Sequence, residues 1–240
     1  MRRIFITGGS RGIGEAMVRL FLENPENNVV FTYRNQEARA HQIADETNAK
    51  GRVHAVQMDL LDQESIASGL SKAMGHYEGF DVVIHNAALV DDTPFFFMEA
   101  NQWNNVVQAS LNSFFYINKA CLPTMLGQKW GRIIAMVSVS GEMGNRGQVN
   151  YSAAKGALIS ASKALAKEVG RKGVLVNCLS PGLVRTEMTA NLPEADLKQI
   201  IPLGRFAEPN EIAKAAKFLA SDDASYINGT VLQVNGGLYT

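Results

Sequence analysis

Two cysteines and four histidines are all that this chain of 240 residues offers to a metal or redox centre. Cys121 and Cys178 stand far apart in no partner motif, and Cys178 lies in an apolar run, so both are expected as buried thiols of a reducing compartment. His41, His54, His76 and His85 have no metal-ligand spacing, which argues against a catalytic metal. No apolar run approaches the length of a membrane span. Charge of either sign is not in excess either. Lys plus Arg equal Asp plus Glu at 23 each, so no overall field points to nucleic acid or to a membrane surface. Pro/Ser-rich linkers, low-complexity tracts and repeats are also missing, and a single domain over 1–240 is expected. The Gly-rich turn that follows Met1-Arg2-Arg3-Ile4-Phe5-Ile6 is no secretory h-region, so the expected location is cytoplasmic.

What is present is a regular alternation. Short apolar runs occur at Ile4 to Ile6, Val29 to Tyr33, Val53 to Met58, Val82 to His85, Ile133 to Val137, Val174 to Leu179 and Val231 to Val234, separated by amphipathic or Ala-rich stretches. Continuous apolar strands between helices indicate a parallel sheet covered on both faces, the doubly wound α/β class.

The first strand runs into Thr7-Gly8-Gly9-Ser10-Arg11-Gly12-Ile13-Gly14 and then a helix to about Leu22. Glycines let the backbone approach a pyrophosphate, and the helix N-terminus offers free N–H groups and partial positive charge. The spacing, G-x-x-x-G-x-G, is a variant of the dinucleotide fingerprint. A carboxylate about 20 residues further on would hold the ribose 2'-OH of NAD, whereas an arginine suits the 2'-phosphate of NADP. Here the second strand ends Phe31-Thr32-Tyr33-Arg34-Asn35, with no carboxylate before Glu37, so Arg34 and Arg11 point to NADP. The same two residues also read as solvated surface arginines.

Strand ends face the ligand crevice of an open α/β sheet. That places Asp59 and Leu60 after the third strand, and Asn86, Ala87 and Ala88 after the fourth, beside the cofactor. Asp59 can accept from an adenine amino group or cap a turn; Asn86 can line the crevice or brace the sheet. Ser138 follows the fifth strand, and a Gly-rich loop leads from it to Asn150-Tyr151-Ser152-Ala153-Ala154-Lys155. On a helix, Tyr151 and Lys155 share one face at i and i+4, where an ammonium favours a phenolate and lets the phenol exchange protons near neutral pH. Tyr and Lys at that spacing also form ordinary surface pairs. A serine nucleophile is the poorer reading of Ser138, because no G-x-S-x-G elbow surrounds it and no histidine follows His85.

Thr7 to Gly14, Asn86-Ala87-Ala88, Ser138, Tyr151-x-x-x-Lys155 and Ser180-Pro181-Gly182, in this order, resemble a short-chain dehydrogenase/reductase along essentially the whole chain. Within that family Gly144 to Tyr151, Pro181 to Thr186 and Val234-Asn235-Gly236-Gly237 are similar to 3-oxoacyl-[acyl-carrier-protein] reductases. The resemblance implies a single Rossmann-type domain and NADPH-dependent reduction of a 3-oxoacyl thioester in fatty acid, polyene or polyketide synthesis. It further implies hydride delivery to the ketone carbon, a proton from Tyr151, a substrate oxygen oriented by Ser138, and Lys155 holding the ribose and lowering the Tyr151 pKa. Pro181, Gly182, Val184 and Thr186 join the cofactor residues, 183–206 becomes a flap over the substrate, and the assembly becomes a homotetramer. Lys129, Arg171 and Lys172 align with basic positions that dock acyl carrier protein in the similar reductases; they also read as solvated helix-end charges.

Two positions depart from the family pattern. Counting seven residues from Trp103 places Ser110 where an Asn usually helps hold a proton-relaying water, with Asn112 about 200° further round the helix, which implies slower proton resupply. Ala88 replaces the usual Gly and adds a methyl against the cofactor. Two rival functions stay open: a reductase of a small diffusible ketone, sugar or steroid, and a weakly active, cofactor-bound partner or sensor.

Overall fold

A strand that is apolar on both sides must be covered on both sides, and the computed structural model, which describes residues 1–47, 49 and 51–240, shows how this chain does so. Strands β1 (Arg2–Ile6), β2 (Asn27–Tyr33), β3 (Val53–Gln57), β4 (Val82–His85), β5 (Gly131–Met136), β6 (Val174–Pro181) and β7 (Val231–Val234) form one sheet in the order β3-β2-β1-β4-β5-β6-β7. Every pairing is parallel. The expected doubly wound sheet is therefore present. β2 and β5 begin two residues earlier than the apolar runs suggest, because Asn27, Asn28 and Arg132 are buried in spite of their polarity.

Alternate side chains of each strand enter different cores. From β1, Ile4 and Ile6 pack with Met17 and Phe21 of α1 (Gly12–Leu22) and with Ile212 and Leu219 of α9 (Pro209–Leu219). Phe5 turns the other way, against Phe80 at a ring distance of 5.0 Å, into the layer of α3 (Gln63–His76), α5 (Ser113–Gln128) and α7 (Val149–Val169). Each fully buried side chain of this size contributes roughly 1.5–3 kcal/mol of transfer free energy, an upper figure because the unfolded chain is itself partly collapsed. The remaining helices are α2 (Glu37–Glu46), α4 (Ala100–Val107), α6 (Val139–Met143) and α8 (Glu194–Leu197). Among the described residues no helix is long and apolar enough to cross a membrane.

The helix that carries Trp103 is not a plain α-helix. Between α4 and α5 the residues Gln108–Asn112 form a π-turn, and Ser113 Oγ donates to Ala109 O at 2.7 Å within it. Strand order reverses between β1 and β4, whose C-terminal ends open a crevice.

Candidate active site

The glycine turn occupies that crevice. Gly8 N donates to Thr32 Oγ1 at 3.1 Å, and Thr7 Oγ1 accepts from Asn86 N and Ala87 N, both at 3.0 Å. Asn86 Nδ2 donates to Thr7 O and Gly8 O, both at 3.0 Å, so Asn86 braces the turn as well as lining the crevice. A Cβ on Gly14 would stand 2.0 Å from Gly8 O, a distance no side chain tolerates, and only glycine lets α1 start this close to the turn. The result is a cradle of backbone at a helix N-terminus, which suits a pyrophosphate.

A cleft of about 470 Å³ runs from this cradle to α7. Every residue expected from the sequence lines it: Gly8, Ser10, Arg11, Gly12, Ile13 and Gly14 at the turn; Arg34, Asp59 and Leu60 beyond β2 and β3; Asn86, Ala87 and Ala88 beyond β4; Ser138 beyond β5; Tyr151 and Lys155 on α7; and Pro181, Gly182, Val184 and Thr186 at the end of β6 and beyond. Thr32, Gln36, Met136, Glu187 and Met188 also line it and carried no motif. Thr32 and Met136 sit at strand ends, so position alone was the available signal.

The charged groups are arranged differently from the expectation. Arg34 Nε donates to Asp59 Oδ2 at 2.9 Å, and Asp59 Oδ1 accepts from Leu61 N at 3.0 Å. Both oxygens of Asp59 are thus engaged, one in the turn-capping role, and an adenine amino group would compete with Arg34 for it. Arg11 Nη1 donates to Glu187 Oε2 at 3.1 Å. Neither arginine stands free for a phosphate. Exposed pairs of this kind are worth about 0–1 kcal/mol, so a 2'-phosphate can exchange into them at small cost.

Beyond β5 the chain turns sharply into α6, with Ser138 as its N-cap: Ser138 Oγ accepts from Ser140 N at 3.2 Å. The turn packs onto α7 so closely that a Cβ on Gly141 would stand 2.6 Å from Lys155 Cβ. This contact sets Ser138 beside Tyr151 at the end of the cleft, which both residues line. Lys155 Nζ lies 5.6 Å from the centre of the Tyr151 ring and donates to Met136 O at 2.7 Å. Lys155 is buried, while Ser138 and Tyr151 are half-buried in the cleft wall. Burial pushes the Tyr151 phenol up to about 12, with Ser138 opposing and the charge of Asp92 adding to the rise. Burial likewise lowers Lys155 to about 8. The expectation that the neighbouring ammonium would depress the tyrosine is therefore corrected: desolvation of the phenolate outweighs it.

Ser110 is buried in the π-turn with no hydrogen-bond partner on its hydroxyl, and Asn112 Nδ2 donates to Gln108 Oε1 at 2.7 Å. Behind it, His85 Nε2 and Asn118 Oδ1 lie 3.1 Å apart in the same buried layer as Lys155.

Lys129, Arg171 and Lys172 are exposed and close together, since the backbone of Lys129 abuts Gly173. They precede β5 and β6, however, and so sit at the opposite end of the sheet from the cleft. Lys129 holds a left-handed conformation, φ 56°, as the C-cap of α5. Glycine is the usual residue there, and Lys129→Gly is expected to stabilise the protein by about 1 kcal/mol, raising Tm by about 2–4 °C in a thermal melt. A lower Tm would mean that the side chain itself holds the corner.

Comparison with known proteins agrees with this geometry. A family model described as "Enoyl-(Acyl carrier protein) reductase" matches residues 8–239. The 3-oxoacyl-[acyl-carrier-protein] reductase FabG of Aquifex aeolicus is 41% identical over 239 residues, covering 98% of this chain and 96% of the relative. The proteins of the same name from Pseudomonas aeruginosa, 41% identical over 239 residues, and Escherichia coli K12, 38% over 237, are covered to the same extent. A parallel seven-stranded sheet, a glycine turn at its switch point and a serine, tyrosine and lysine gathered at one end of the cleft complete the match, and the chain belongs to the short-chain dehydrogenase/reductase family.

Proposed function

We propose that this protein reduces a 3-oxoacyl thioester, carried on acyl carrier protein, to the 3-hydroxyacyl form with NADPH. The observation that carries the reading is the gathering of Ser138, Tyr151 and Lys155 at one end of the glycine-lined cleft. The cradle at Gly8 to Gly14 fits a pyrophosphate, and Arg34 and Arg11 at its rim fit a 2'-phosphate once they exchange their carboxylate partners. When held there, NADPH would supply the hydride that the ketone carbon receives. Ser138, its oxygen already accepting from Ser140 N, donates a hydrogen bond to the ketone oxygen. Tyr151, kept protonated by burial, transfers its proton to the same oxygen as negative charge develops there. Lys155 holds a positive charge beneath the ring and stabilises the phenolate left behind.

Segment 183–206 acts as a lid in this reading. Val184, Ile201 and Phe206 are buried at its ends, Arg185 pairs with Glu194 and Glu208, and Met188, Leu192, Ile200 and Leu203 present apolar surface outward. The cations Lys129, Arg171 and Lys172 are too far from their own cleft to dock a carrier for it. They suit delivery to a neighbouring copy, in keeping with a homotetramer, and the exposed Phe115 on α5 gives a face for one to cover. The buried free thiols Cys121 and Cys178 fit a cytoplasmic location.

NADPH oxidation with a short 3-oxoacyl group on acyl carrier protein, on coenzyme A and as a free ketone tests the reading. Faster turnover of the carrier-bound form is expected. Equal or faster turnover of the free ketone would replace the carrier-bound substrate by a small diffusible one, and NADPH binding without turnover on all three would favour a non-catalytic partner.

A further inference from the structure

The segment after β4 is fastened to the start of α7 by a run of polar contacts. Thr93 N donates to Gly147 O at 2.9 Å, and Asn150 Nδ2 donates to Asp91 O at 2.9 Å. Asp92 Oδ2 accepts from Gln148 Nε2 at 2.7 Å, while Gln148 Oε1 accepts from Ser140 Oγ at 3.0 Å and from Asn145 Nδ2 at 2.9 Å. Ser140 N donates in turn to Ser138 Oγ at 3.2 Å, and Ser138 lines the cleft together with Tyr151. Hydrogen bonds therefore link Asp92, Gln148, Ser140 and Ser138 in sequence. This chain is directional: a carboxylate only accepts, so Asp92 fixes the amide of Gln148 with its NH2 outward and its oxygen toward Ser140.

Asp92 and Asp91 bring two negative charges against the start of α7. Asp91 Oδ1 accepts from Gln102 Nε2 at 2.7 Å, and among the described residues no Lys or Arg forms an ion pair with either aspartate. Neutral amides orient the carboxylates without cancelling their charge. Lys155 is buried and faces Met136 O, and Arg146, exposed in the loop before Gln148, forms no ion pair among the described residues. The field of Asp92 reaches the reacting group, since it helps to keep the proton on Tyr151.

We propose that Asp92, oriented by Gln148, is a specificity-determining residue: its carboxylate at the start of α7 disfavours ketones that carry a carboxylate next to the reacting carbonyl and reserves the site for 3-oxoacyl groups masked as uncharged thioesters. The proposal rests on the reductase reading above and names what the site excludes. A free 3-oxo acid and its ester differ little in shape around the ketone, so contact alone separates them weakly, whereas the exposed like charge of Asp92 adds a modest, salt-sensitive repulsion against the acid alone.

The test is the kcat/KM ratio for ethyl 3-oxobutanoate against 3-oxobutanoate with NADPH, in the parent and in Asp92→Asn. The parent is expected to prefer the ester, and the variant to narrow that preference roughly fivefold or more, because the charge goes while the shape stays. Raising the salt concentration to about 0.5 M should narrow the preference in the parent and not in the variant, which keeps the test open if Asp92→Asn folds poorly. A merely structural Asp92 would lower both rates together. An unchanged ratio in the variant, a salt-independent ratio in the parent, or a parent that reduces acid and ester equally well overturns the proposal with the reductase intact; a parent that reduces neither overturns the reductase reading and this proposal with it.

Discussion

Replacing Lys155 by Met is expected to give a protein that melts a few degrees higher and turns over at least about a hundredfold more slowly. The two effects have one origin. Lys155 is 2% exposed, and burial lowers its pKa from 10.5 to about 8, which corresponds to about 3 kcal/mol of destabilisation at neutral pH. Because the folded value is depressed, the unfolded chain binds the extra proton between pH 8 and 10.5; the cost is full below about pH 8 and fades as pH rises through that window. Met removes the charge at similar volume, at the expense of leaving Met136 O without its donor, a loss of about 1–3 kcal/mol that the relief matches or exceeds. Thermal melts across pH 6.5–10.5 would show the parent gaining stability with pH relative to the variant, about 1.4 kcal/mol for each pH unit of the window. The parent's kcat/KM should fall on the alkaline side near pH 8, where the lysine loses its charge, and not near the Tyr151 value of about 12. A variant that melts lower at neutral pH, or that keeps more than about a tenth of the turnover, would separate Lys155 from the roles given to it.

Tyr151→Phe removes one hydroxyl from the same pocket and is expected to lower kcat by about 10²–10⁴-fold while NADPH binding and the melting curve stay close to the parent's. The ring remains to fill the space, so the packing around it is kept. What disappears is the proton donor. A phenol held near 12 by burial is protonated at every working pH, which is the state a reduction consumes. Stopped-flow oxidation of NADPH with a carrier-bound 3-oxoacyl group measures the loss; more than about a tenth of parental turnover in the variant would show that the proton comes from elsewhere.

These two residues also mark the limit of what the sequence disclosed. The spacing of Tyr151 and Lys155 placed them on one helical face, but the sign of the tyrosine shift depends on the burial of the phenol, which arises from tertiary packing such as the close approach of the turn at Gly141 to α7. The strands were legible because double burial writes itself as unbroken apolar runs, with Arg132 an exception that its partners Trp130 and Asp222 explain. The glycine turn was legible because close approach admits one residue type. The ion pairs of Arg34 and Arg11 were not, since their partners Asp59 and Glu187 lie 25 and 176 residues away and nothing local announces them. The distance of Lys129, Arg171 and Lys172 from the cleft was within reach of topology alone: residues between a helix end and a strand start lie away from the crevice of a parallel sheet. Asp92 carried no motif, and its connection to Ser138 emerges only through Gln148 and Ser140.

The π-turn at Gln108–Asn112 can be counted as length. A turn closed by i→i+5 bonds spends one residue more than an α-helical turn, and each residue of a plain helix is worth about 100° of rotation. The surplus residue thus sets the phase between two half-helices, so that Val106 before it and Phe114, Ile117 and Cys121 after it are all buried. Substitutions within the turn act on local contacts, but an insertion or deletion there would rotate one half of the catalytic wall against the other, which makes the residue count between Trp103 and Phe114 as much a determinant of the site as any side chain in it.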